Sequence, residues 1–442
     1  MNKQKGSLKS TITVSLTNYL DAGSIVAGAS GLTLWQNYLG LTETHLGLLN
    51  AISANCFGAA LGAIIGGWMA DKYGRKAIYT RNLLIYMLGV GIIMLSVNFS
   101  MLLAGFLITG ISVGIGVPAS WTYISETSEA GNRGRNIGIS QLAWSFGPAF
   151  IFLFGWLVSP TGPLGDAVHS LGLLILRTND QVSLDLFGNR LVFFTLFVVA
   201  FIAWLLQRRL SESNEWVELK MQKTVQKQKH SYTDLITNVV NIRAIVFLVG
   251  IYLLWNFVAG AMGFFMPHIY ETAGGLSNEK ANFLEMFKWG LTALFSYAGF
   301  ALLADKVNQR VLYAFGTLLG VAAWVVLTFV GISNATALWL FVILWGVHAG
   351  LGVQAFYALW ASELFHARYR AAAQGLMFFI VRGGAAIWSF VFINIYDKAG
   401  FYTAGNIMVA LMAATLIIGI IWTPKTRGKT LKQISEERYG SE

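Results

Sequence analysis

The stretch Gly66-Gly67-Trp68-Met69-Ala70-Asp71-Lys72-Tyr73-Gly74-Arg75-Lys76 closes a long apolar run, and a weaker copy, Gly299 to Arg310 (GFALLADKVNQR), closes another far downstream. Their aspartates, Asp71 and Asp305, lie 234 residues apart. A second pair keeps nearly the same period: Glu126 in YISETSEAGNRGR and Glu363 in WASELFHARYR are 237 residues apart. Two unrelated motifs sharing one offset point to an internal duplication. In an apolar chain, such a repeat marks a transporter whose two bundles rock about a site near the bilayer midplane.

Composition agrees: 55% of residues are hydrophobic and 12% charged, and mean hydropathy is +0.59, far from the balance of a water-soluble domain. Stretches able to span roughly 30 Å of hydrocarbon read at 11–33, 46–70, 78–98, 101–124, 137–158, 190–207, 243–266, 281–304, 311–332, 337–358, 372–394 and 403–423. The expected fold is therefore all-α, with twelve transmembrane helices in two pseudo-symmetric six-helix bundles. We divide it into a first bundle (1–209), a linker with short surface helices (210–242), a second bundle (243–423) and a tail (424–442). No cleavable signal peptide is expected, since the first span follows a short basic stretch without a small-residue cleavage site.

Orientation follows from the basic residues. With these spans, 25 of the 31 Lys and Arg fall on one side, which makes both termini cytoplasmic in a multi-pass protein of the inner cell membrane. The +10 net charge reflects this bias, so nucleic-acid binding is not expected. The single Cys56 cannot form an intrachain disulfide. Of the connections, 208–242 is basic, with Lys220, Lys223, Lys227 and Lys229. The outer segment 159–189 alternates around an Asn-Asp pair, which predicts a small hairpin.

The first tract matches the loop 2–3 signature of the major facilitator superfamily, a Gly, an Asp and then Gly-Arg-Arg/Lys. Four further features resemble its sugar porter branch: Glu126 with Arg133-Gly134-Arg135, LSESNEW (210–216), Ser362-Glu363 with Arg368, and PKTRGKTL (424–431). The resemblance spans the chain and implies a secondary transporter working by alternating access.

The loop charges also have a rationale of their own. Asp71, at the end of the second span, is placed to face the positive N-terminus of an opposing helix near Ala372 and hold the inner gate shut. Gly67, Arg75, Glu126, Arg133, Arg135 and Glu212 belong to the same gating set, mirrored by Asp305, Arg310, Glu363, Arg368 and Arg370. The alternative is ordinary solvated loop charge, worth little pair by pair. One-sided positive bias does not require the acidic members, which favours the gate.

Charges inside the bilayer are costly and usually line a cavity. Asp21 lies about ten residues into the first span, roughly 15 Å deep. Its context, Tyr19-Leu20-Asp21-Ala22-Gly23, resembles the Gly-Tyr-Asp of proton-coupled sugar porters, whose aspartate carries the proton; the alternative is a neutral aspartic acid bonded to a neighbouring helix. Those porters pair the aspartate with an arginine early in span 4, where this chain has Phe106-Leu107. Arg382, about ten residues into span 11, is the substitute. Val381-Arg382-Gly383-Gly384 looks more like the Arg-x-Gly of neighbouring organic-acid and metabolite transporters, and an arginine can hold an anion, neutralise Asp21 or donate to hydroxyls.

Gln141 matches the span 5 glutamine that bonds sugar hydroxyls in sugar porters. Their Gln-Gln pair in span 7 is replaced by Trp255-Asn256, which offer an aromatic face and an amide. Trp144, Trp360 and Gln354 complete the substrate candidates; for any single aromatic, helix packing is the competing reading. Glu285 and Lys288 share a helix face in the outer vestibule and pair with each other. His348 reads as a hydrogen-bonded helix contact, with a proton relay as the alternative. With no nucleotide loop, metal-spaced His/Cys set or nucleophile triad, neither an enzyme nor any metal or cofactor is expected. The sequence thus implies a monomeric carrier taking up a small polyhydroxylated solute, a sugar or a cyclitol such as inositol, together with H⁺. The alternatives are a carrier of a sugar acid or other organic anion and, in another class, a transport-dead receptor.

Overall fold

A computed structural model describes residues 2–54, 56–129, 131–213, 216–218, 220–221, 232–276 and 278–440, and every regular element among them is helical. The first half holds α1 (Asn2–Ser30), α2 (Leu32–Leu39), α3 (Glu43–Ile52), α4 (Phe57–Tyr73), α5 (Arg75–Met94), α6 (Phe99–Thr127), α7 (Arg133–Val158), α8 (Gly165–Leu176) and α9 (Gln181–Gln207). The second holds α10 (Tyr232–Thr237), α11 (Val239–Thr272), α12 (Asn278–Phe295) continued by a π-helical segment Ser296–Ala301, α13 (Gln309–Val330), α14 (Ala335–Leu351), α15 (Val353–Glu363), α16 (Arg370–Trp422) and α17 (Leu431–Tyr439). α16 breaks at Gly400, φ 77°, so it supplies two crossings. α3–α4 and α14–α15 each form one interrupted crossing, which gives twelve in all.

Nine of the described helices are long and apolar enough to span a bilayer. Of the remaining crossings, α1 carries Asp21 and α12 carries Glu285 with Lys288, while α4 ends at the basic face with Asp71. A helix facing other protein or a cavity tolerates such residues, whereas one facing lipid does not. The duplication also shows in packing. The fourth crossing of each half, α6 and α14–α15, buries 61% of its most apolar stretch, and the sixth of each half, α9 and Lys398–Trp422, buries 33%. The sixth crossings therefore lie outermost against lipid, with Phe194, Phe201, Ile417 and Ile421 exposed.

Within the halves, α1 packs on α7 and α9, α4 on α6, α11 on α16, and α13 on α14. Between them, α4 meets α16 and α7 meets α12. These seams are close at the basic face. A Cβ on Gly67 would lie 2.5 Å from the Ala371 carbonyl oxygen, and one on Gly375 2.3 Å from that of Ala63. At the second seam a Cβ on Gly138 would lie 2.5 Å from Cα of Ala301. Small residues permit this approach, the usual way helices associate in lipid.

The hairpin expected within 159–189 does not form. Its apolar part is α8, and the Asn-Asp pair is a helix start: Asp180 Oδ2 accepts from the Ser183 N–H at 3.1 Å, capping α9. The sixth span accordingly begins at Gln181, not at 190. In the linker, α10 is a short helix, while Lys223, Lys227 and Lys229 lie outside the described residues. In the tail, α17 starts from a capping box at Thr430 and Gln433, and its Tyr439 hydroxyl reaches Asn241 Oδ1 at 2.7 Å.

Candidate functional site

A cavity lies between the halves. It is lined by Ile25 and Val26 of α1; Gln141, Trp144 and Ser145 of α7; Trp255, Asn256 and Met262 of α11; Lys288 and Trp289 of α12; Trp345 of α14; Gln354 of α15; and Arg382 of α16. Most of this wall is apolar or aromatic, with a few convergent amides and charges.

Asp21 is 1% exposed and lies just behind the wall. Its Oδ2 accepts from Trp144 Nε1 at 2.8 Å and stands 3.9 Å from Arg382 Nη2. Trp144 and Arg382 both line the cavity, so each connects the buried carboxylate with whatever the cavity holds. Among the buried polar atoms with no hydrogen-bond partner within the described residues are Asp21 Oδ1, Gln141 Nε2 and Trp289 Nε1. Gln354 Nε2 donates to Gln141 Oε1 at 3.0 Å, bridging the halves. Asn256 Nδ2 donates to the Tyr252 carbonyl at 2.8 Å, leaving its oxygen for the cavity.

The two cations in the wall are both neutralised. Arg382 has Asp21 beside it, and Lys288 Nζ pairs with Glu285 Oε1 at 2.5 Å, both side chains at most 3% exposed. Lys288 reaches the cavity wall, with Glu285 buried one helical turn before it. Trp360 is fully buried and donates to Gln309 Oε1. It belongs to the packing of the second half, away from the cavity.

At the basic face each half caps a helix of the other. Asp71 Oδ2 accepts from the Ala372 N–H in the first turn of α16 at 2.7 Å. Asp305 accepts from the N–H groups of Gly134 and Arg135 in the first turn of α7, at 3.0 and 2.8 Å. Ion pairs run beside these caps: Arg370 Nη1 to Glu126 Oε1 at 3.1 Å and Arg133 Nη1 to Glu363 Oε1 at 2.6 Å. Arg75 ties Asp71 to Glu126, at 3.1 and 2.9 Å. Burial pushes the Asp71 carboxyl up to about 6, against the pull of Arg75 and the Ala372 N–H. Burial likewise raises that of Asp305, against its two N–H donors.

The remaining gate candidates make hydrogen bonds that involve the backbone. Glu212 accepts from the N–H groups of Arg75 and Lys76 at 3.0 and 3.1 Å, capping α5. Between α4 and α5, Gly74 has φ 97°, and a Cβ there would meet Glu212 Oε2 at 2.3 Å, so both backbone and space require glycine. Arg135 contributes its backbone N–H. Arg310 donates to the carbonyls of Ile420 and Ile421 at the end of α16, where a cation complements the helix dipole. The Arg368 N–H meets His366 Nδ1 at 3.3 Å.

The Major Facilitator Superfamily profile matches residues 12–389, all of the crossings but the twelfth. The chain belongs to the Major Facilitator Superfamily. Over 98% of its length this superfamily member is 43% identical to the minor myo-inositol transporter IolF of Bacillus subtilis (strain 168), of which it covers 94%. It is 24% identical to the glucose transporter GlcP of Staphylococcus epidermidis, over 93% of this chain and 92% of that one. The structure of the proton:xylose symporter XylE bound to 6-bromo-6-deoxy-D-glucose superposes with a TM-score of 0.77 at 17% identity, covering 98% of this chain and 99% of that one. At that identity the likeness speaks for the fold alone. As a Major Facilitator Superfamily protein the chain is a membrane transporter, not an enzyme.

Several site features were not singled out in the sequence. Ser145, Trp289 and Trp345 line the cavity, but a serine or tryptophan in an apolar span carries no signal of which way it faces. Nor were the break at Gly352 between α14 and α15 and the π-helical segment in span 8 singled out.

Proposed function

We propose that this carrier takes up a small polyhydroxylated ring solute, with myo-inositol the first choice, together with H⁺. Its basic face is cytoplasmic, both termini lie on that side of the inner cell membrane, and it works as a monomer that binds no nucleic acid. The observation that carries the reading is 43% identity along nearly the whole chain to a myo-inositol transporter. The character of the cavity supports it: Gln141 and Asn256 offer amides for hydroxyls, and Trp255 offers a face for ring CH groups.

In this reading Asp21 takes the proton when the cavity faces outward. Neutral Asp21 loosens its hold on Arg382 and Trp144, which then turn their donors toward the solute. Release of the proton on the other side restores the Asp21–Arg382 pair, and the solute loses those donors. A ligand shifts a conformational balance only through different contacts in the two states, and here Arg382 and Trp144 provide the difference.

The organic-anion reading is weaker, because each cation in the wall already has a carboxylate beside it. An anion would add an unbalanced charge to a desolvated site. Uptake of labelled myo-inositol into vesicles under an imposed pH gradient tests the proposal. We expect saturable accumulation, lost when the gradient collapses and competed by neutral cyclitols but not by uronates. Arg382→Gln should weaken accumulation while leaving myo-inositol binding measurable. Competition by uronates, with binding destroyed in Arg382→Gln, would establish the anion carrier instead. Absence of any uptake alongside binding would point to a receptor.

A further inference from the structure

His348 is fully buried in α14 and does not itself line the cavity, yet its contacts fix both the ring and its tautomer. Nδ1 is 2.7 Å from the Gly316 carbonyl oxygen of α13. Nε2 receives the indole N–H of Trp255 on α11 at 3.0 Å. A carbonyl can only accept and an indole N–H can only donate. The ring is therefore neutral, with its hydrogen on Nδ1 and a lone pair on Nε2. Its position is equally constrained. A Cβ on Gly320 would come within 2.8 Å of the ring, and one on Gly352 within 2.9 Å of Cε1. Trp345 packs on it with centroids 4.8 Å apart.

Trp255, by contrast, is a cavity wall. It is backed by Tyr252 at a centroid distance of 5.8 Å and 12° between planes, and Tyr252 stacks in turn on Tyr357 at 3.9 Å and 8°. Stacking fixes the plane of the indole, and the hydrogen bond to His348 sets where its N–H points. Without it a buried N–H would lack an acceptor and would turn toward another one.

We propose that His348 is a positioning residue that holds Trp255 as a fixed stacking wall for the flat CH face of a ring polyol, and so sets solute affinity without touching the solute. It also follows that His348 does not carry the transported proton while this wall is in place, since a hydrogen on Nε2 would expel the indole N–H. The choice of a ring polyol rests on the function proposed above; the hydrogen bond and its effect on Trp255 do not.

The test uses the full chain in proteoliposomes with labelled myo-inositol. His348→Leu fills the space but offers no acceptor, and should raise KM about tenfold with the maximal rate within about threefold. His348→Gln keeps an acceptor and a donor and should stay within about threefold of wild type in both. In a Trp255→Phe background, which has no N–H to hold, His348→Leu should add no more than about twofold. Equal KM increases in the Leu and Gln variants, a full effect of His348→Leu in the Trp255→Phe background, or a fall in maximal rate at constant KM would overturn the proposal. Should His348→Leu fail to fold, His348→Asn, too short to reach the indole, replaces it with the same expectation. A solute-free readout separates this proposal from the choice of solute. The indole N–H band of Trp255, taken by ultraviolet resonance Raman as the difference from Trp255→Phe, should move to that of an unbonded indole in His348→Leu. An unmoved band refutes the assignment whatever the solute; a moved band without myo-inositol uptake refutes only the solute class.

Discussion

Arg133→Gln should open the basic face. Arg133 and Glu363 meet at 2.6 Å with side chains 2% and 4% exposed, one on each half, so the pair exists only while the seam is closed. Truncating one partner of a desolvated, hydrogen-bonded charge pair costs about 2–5 kcal/mol. The loss falls almost wholly on the closed form, because an open seam lets water reach Glu363. There is also a ceiling: the stranded carboxylate can take a proton instead, and protonating an ordinary glutamate (pKa about 4.3) at pH 7 costs about 3.7 kcal/mol. We therefore expect a shift of about 2–4 kcal/mol, between one and three powers of ten in the closed-to-open ratio, shrinking as the pH is lowered. The double variant Arg133→Gln/Glu363→Gln leaves no unpaired charge and should recover most of the closure. Spin labels at Glu129 and Lys306, exposed positions on the basic face of the two halves, would report the distance in a Cys56→Ser background. A folded Arg133→Gln protein with the wild-type distance distribution, or a double variant more open than the single one, would refute the reasoning.

Three further expectations concern the proton site, the gate acids and the bridge across the cavity. Asp21→Asn should abolish uphill accumulation while leaving solute exchange measurable in counterflow, since Asn keeps the shape but cannot titrate; unimpaired, gradient-sensitive accumulation would move the proton elsewhere. Burial in the closed seam holds Asp71 up at about 6 and raises Asp305, and opening returns both to water and the usual carboxylate range. The closed form then binds more protons. Acidifying the basic face from pH 7 to 5 should favour closure, and that gain should be lost as pH rises through 6. The same label pair reads this, and the dependence should shrink in Asp71→Asn/Asp305→Asn, leaving the part due to Glu363. Gln354→Leu removes the 3.0 Å bridge to Gln141 and should raise the transport rate a few-fold at a similar KM, because one neutral bond between the halves is worth about 1 kcal/mol. A large rise in KM in uptake kinetics would instead place Gln354 directly on the solute.

Much of this arrangement was legible because duplication writes it twice. Asp71 and Asp305 share a period with Glu126 and Glu363, and the caps and ion pairs they form follow the same repeat. The nearness of Asp21 and Arg382 followed from depth: both lie about ten residues into a span, and two opposite charges at one level of a bilayer need each other. What was not legible depends on rotation about the helix axis. Nothing local tells that Trp144 turns toward Asp21, that Gln354 meets Gln141, or that Trp360 turns away. The Asn179-Asp180 pair misled because the same side chains that favour a turn also cap a helix, and only the apolar run before it, folded as α8, decides between them.

The opposed caps at the basic face have a mechanical consequence. Asp71 grips the second half from the first, and Asp305 grips the first from the second, at two seams on either side of the central axis. A lid fastened at one edge can peel, and a peeling lid leaks before it opens. Fastened from both edges in opposite senses, this one resists tilting in either direction and yields only when both fastenings let go together. For the proposed proton-coupled carrier, partly open forms, through which a proton or a solute could slip alone, would thereby be scarce, and tight coupling would be a property of how the door is hung as much as of what binds inside.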